Sequence, residues 1–75
     1  MANAEHGFVV LVRIGQYRRA AYVVACKDQQ TAEDEIRRRH ASDPEAEYFV
    51  SPMPDDAMRS LAMASGEIKD WHARY

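Results

Sequence analysis

Phe8-Val9-Val10-Leu11-Val12-Arg13-Ile14 is the stretch whose reading decides the fold. Its apolar, largely β-branched residues stand at consecutive rather than alternating positions, as in a central strand covered on both faces. Gly15-Gln16 follows, with glycine where a tight hairpin turn needs a positive φ. Residues 17–27 then read as a second strand, entered through the basic pair Arg18-Arg19. A slip of one residue in this hairpin would exchange the two faces of the sheet.

Beyond the hairpin the period changes. Asp28 or Thr31 caps a helix that runs to about His40, with acidic residues in its first turn. Glu33, Asp34 and Glu35 each stand four residues before Arg37, Arg38 and Arg39, giving three favourably oriented pairs. The apolar face is narrow: Ala32 and Ile36, with His40 next in the same row. Pro44 closes this segment by pushing Asp43 out of helical geometry. Glu47 to Ser51 is a third strand, bounded by Pro44 and Pro52. Pro54 suits a first helical position, and Asp55 and Asp56 complement the positive end of the dipole. Ala57, Met58, Leu61 and Ala62 form the buried stripe of this second helix, and Ser65-Gly66 ends it. In the tail, Ile68 and Trp71 stand three apart, a spacing that suits one helical turn.

The order ββαβα predicts a small α+β domain. A right-handed crossover sets the third strand parallel to the second. The apolar first strand then takes the centre of a three-stranded, mostly antiparallel sheet of order 2-1-3. Both helices are expected on one face. The whole chain, 1–75, is one domain, with residues 1–6 expected to be disordered and residues 67–75 to pack on the core as a tail. Trp71 is expected to pack with Ile68 there; an exposed Trp71 would instead be a partner anchor, since aromatics dominate binding hot spots.

Composition narrows the function classes. The chain has 75 residues, 47% hydrophobic and 29% charged, with a net charge of -2, which marks neither a polyanion binder nor an acidic mimic. The first seven residues carry no Lys or Arg, unlike a secretory leader. No apolar run approaches the roughly 20 residues of a membrane helix: Phe8 to Val12 is five residues and Ala20 to Cys26 seven. A single cysteine cannot staple the chain, so a reducing, cytoplasmic setting is expected. Cys26 itself ends an apolar stretch and reads as packing, with only Lys27 nearby to activate a thiolate.

Three segments suggest nucleic-acid contact. Arg37-Arg38-Arg39 fans across about 200° of a helix, and each arginine has an acidic residue one turn earlier, so a solvated, ion-paired face is the better reading. Arg13, Arg18 and Arg19 around the hairpin are less neutralised and form the better polyanion patch. Residues 54–75 have the apolar spacing of a helix-turn-helix. However, residues 41–75 hold seven acids against three bases, whereas residues 1–40 hold five against seven, so that half lacks the electrostatic footprint of DNA binding.

No catalytic or metal-ligating constellation appears: His6, His40 and His72 lie far apart, with no paired-ligand spacing near Cys26. Neither enzymatic activity nor a cofactor is expected. His40 reads as a boundary residue with a satisfied ring nitrogen. With both helices on one face, the other would expose either Phe8, Val10 and Val12 or Val9 and Leu11 from the first strand, extended by Ala21 or Val23 from the second. Val9, Leu11, Ala21 and Val23 are taken as the interface, with a different protein partner or the folded-back C-terminal tail as the alternative covers. Such a surface marks an interaction site. The sequence therefore predicts a protein–protein interaction module that forms a homodimer through this face, with weak nucleic-acid binding as the alternative.

Overall fold

The structure, a computed structural model, describes residues 4–16 and 18–71. Six elements follow one another: β1 (Phe8–Ile14), β2 (Arg18–Val24), α1 (Gln29–Arg39), β3 (Ala46–Pro52), α2 (Asp55–Leu61) and β4 (Ile68–Asp70). The sheet is antiparallel, with strand order β3-β1-β2-β4. β1 is central, as its unbroken apolar run requires: Val10 and Val12 are buried on one face, while Val9 is half-buried on the other. Gly15 turns the hairpin with φ 65°, and Ile14 pairs with Arg18 beyond it.

The sheet therefore has four strands, not the expected three. The additional strand is the tail segment expected to make a helical turn. Ile68, Lys69 and Asp70 pair with Val24, Val23 and Tyr22, and the Trp71 N–H donates to the Ala21 carbonyl at 2.8 Å. The free edge of β2 offered unpaired backbone groups, and ladder bonds outweigh one isolated helical turn. The same strand removes the second helix that a helix-turn-helix would need. Residues 72–75 lie outside the described residues, as does Tyr17, the expected start of the second strand.

A second correction concerns the layers. α1 packs on the face bearing Val10, Val12 and Val24 and buries Ala32 and Ile36 there. α2 does not join it. Met58 from α2, with Met53 and Met63 from its flanks, is buried against Val23 and Ala25, with Val9 alongside. Strand alternation places Val9 and Val23 on the face opposite Val10 and Val24. The helices thus lie on opposite faces. The Met53 N–H bonds the Gly7 carbonyl, so the chain leaves β3 still in ladder register and α2 begins beside the start of β1.

Helix ends follow local chemistry. Asp28 caps α1, its Oδ2 accepting from the Thr31 N–H at 3.1 Å and from the Thr31 hydroxyl at 2.9 Å. The helix begins earlier than the acidic run, so its first turn holds no acid. Of the three expected pairs only Glu33–Arg37 forms, at 3.1 Å; Arg38 reaches back three residues to Glu35, and Arg39 lies over the Tyr22 ring. α2 stops at Ala62, which takes the left-handed conformation with φ 51°. Gly66, expected to end α2, instead turns the chain into β4 with φ 85°.

Candidate functional site

α2 is short, and it covers only one end of the second face. Val9 and Val23 lie beneath the α2 layer; Val23 is fully buried and cannot be an interface residue, which corrects its expected role. The other end stays open. There Leu11 stands between Phe49 on β3 and Ala21 on β2, directly opposite both in register. Leu11 is 42% exposed and Phe49 49%, the large apolar side chains most open to solvent among the described residues. The surface forms a shallow hollow of ≈ 670 Å³, flanked by Arg13 and Arg19 at one end and by Asp70 and Trp71 along the β4 side. Nothing in the sequence of β3 alone singles out Phe49, because its own pattern does not say which residues face the uncovered side. Alternation from Leu11 would have found it.

Trp71 and Ile68 do not pack together. In a strand, residues three apart point to opposite faces. Ile68 joins the core under α1, and Trp71 lies half-buried against the α2 cluster at the rim of the hollow.

The hairpin arginines divide in the same way. Arg13 and Arg19 face each other across β1 and β2 on the open side. Arg18, one position on, belongs to the α1 side, so the three arginines do not make one patch. Arg13 is already paired with Glu47 at 2.9 Å, which offsets part of its repulsion from Arg19.

On the α1 side a polar cluster closes the end of the core. The Tyr22 hydroxyl and His40 Nε2 are 2.9 Å apart, and His40 Nδ1 lies 3.0 Å from Asp43 Oδ2. In the tautomer whose Nδ1–H donates to the carboxylate, Nε2 accepts from the phenol. Both ring nitrogens are thus satisfied, as the sequence reading of His40 anticipated. The ring also meets Tyr48 edge-on, and the Arg37 guanidinium lies 4.4 Å from the Tyr48 centroid. Cys26 packs at the margin of the same core. Its thiol donates to the Asp28 carbonyl at 3.2 Å, and burial pushes its pKa up, away from the thiolate that reactivity needs.

Among the described residues no group of three or more potential metal ligands gathers, and no helix is long and apolar enough to cross a membrane. The chain matches no family model, and neither curated proteins nor solved structures show a significant similarity to it.

Proposed function

We propose that the protein is a small, cytoplasmic, self-associating protein–protein interaction module that works through the open half of the second sheet face. One observation carries this reading: Leu11 and Phe49 are side by side and exposed, although the chain had a second helix available to cover them. Apolar contacts supply the affinity, and Arg13 and Arg19 at the rim orient the partner. Nucleic-acid binding is less well supported. Arg19 shares the face with two aromatic side chains, but Glu47 pairs with Arg13 and the net charge is -2. Sedimentation equilibrium across micromolar concentrations tests the proposal: the wild type self-associates, and the double variant Leu11→Ser/Phe49→Ser sediments as the 8.6 kDa monomer. A wild type that stays monomeric, or salt-sensitive retention on DNA that Arg19→Ser abolishes, would overturn it.

A further inference from the structure

β3 forms one border of the sheet, and no described element pairs with its outer edge. The Met53–Gly7 bond sets the phase of the ladder: Glu47, Phe49 and Ser51 direct their backbone groups to β1, while Ala46, Tyr48 and Val50 direct theirs outward. The Ala46 N–H is taken by the Asp43 carbonyl at 3.1 Å, which leaves the N–H groups of Tyr48 and Val50 facing out. The opposite border is different. β4 is three residues long and carries Lys69 and Asp70, and shortness and charge are common means of blunting an edge. β3 is seven residues long, and none of its outward-directed positions bears a charge; Pro52, the last of them, has no N–H, so the open stretch runs over Tyr48 and Val50.

The layer above shows what the edge fits. Arg37 lies over Tyr48 on β3, whereas Arg39 lies over Tyr22 on β2. Arg37 and its partner Glu33, one turn earlier, therefore occupy the flank of α1 that overlooks the β3 edge. An acid and a base spaced along one flank match the same pair on an antiparallel copy.

We propose that two copies of this chain join antiparallel through their β3 edges, about a two-fold axis through Phe49, so that the two sheets become one. This deepens the self-association reading and rests on it. With the axis at Phe49, Tyr48 lies opposite Val50 of the second copy, and each outward N–H meets an outward carbonyl. Phe49 meets Phe49 of the second copy at a position without ladder bonds, where Cα atoms stand about 4.5 Å apart and side chains touch. Glu47 falls opposite Ser51 of the second copy rather than another carboxylate. α1 lies over β1 and β3. With strands about 4.8 Å apart it comes roughly 10 Å from its mate, the spacing of packed helices. Glu33 then approaches Arg37 of the second copy, and the two Leu11–Phe49 surfaces fuse into one.

The test uses the full chain and two readouts. In sedimentation equilibrium, Glu33→Arg and Arg37→Glu each weaken the dimer about tenfold, and the double reversal restores most of the loss. Lys69→Ser, on β4 at the far border of the sheet, changes it less than about threefold, and Trp71, at the same border, keeps its emission as the dimer forms. In a Cys26→Ser background, Phe49→Cys gives an interchain disulfide under mild oxidation, because the facing Cα separation suits one; Ser51→Cys, which faces Glu47, does not. A monomeric wild type overturns this inference and the proposed function together. A dimer indifferent to both charge reversals, unlinked by Phe49→Cys and lost in Leu11→Ser with a shift in Trp71 emission, overturns the edge pairing alone.

Discussion

A β-carbon at Gly7 would stand 2.5 Å from the Met58 sulfur and 3.0 Å from the Val24 carbonyl oxygen. Met58 is fully buried, so its thioether cannot swing aside into solvent, and the carbonyl belongs to a ladder strand. Gly7 is thus the point where α2 closes on the sheet. Gly7→Ala should lower the unfolding free energy by about 1–3 kcal/mol, the range for overpacking a core. Urea denaturation followed by circular dichroism measures it; an unchanged midpoint would mean that α2 is not seated there. His40 was legible as a satisfied boundary residue from its place beside Ile36. Its local partner Asp43 stands three residues on, but Tyr22 was not legible, because only the fold brings residues 18 positions apart within 2.9 Å.

At the scale of elements, α1 and α2 end by different means. Asp28 caps α1 with a side-chain bond, and Asp28→Ala should destabilise the protein by about 1 kcal/mol. α2 ends on Ala62, a residue with a β-carbon held at φ 51°, so Ala62→Gly should stabilise by about 0.5–1 kcal/mol. Paired thermal melts check both, and opposite signs are expected. β1, β2, β3 and α1 were legible because apolar runs, prolines and an aspartate cap are local signals. β4 was not. Ile68 and Trp71 share one side of a helix but opposite sides of a strand, and three residues are too few for periodicity to choose. The open edge of β2 made the choice.

For the whole molecule, the second core depends on parts distant in sequence: the Met58 helix, the Met53 and Met63 flanks, and Trp71 after β4. Trp71→Ala should cost about 1–3 kcal/mol, less than a full core truncation because the indole is only half-buried. The emission of the wild type should lie to the blue of free indole in water. A spectrum matching free indole, together with unchanged stability, would place Trp71 outside the core. By itself the sequence determined the α+β class, the central place of β1, the hairpin and the capped first helix, since each rests on contacts or preferences within a few residues. Only the tertiary structure decided the fourth strand, the side of the sheet that α2 takes and hence the exposure of Leu11 and Phe49. β1 is apolar on both faces, so its own pattern cannot say which one is covered. The chain that leaves β3 through Met53 decides it, by carrying Met58 under Gly7 and leaving the far end of that face open.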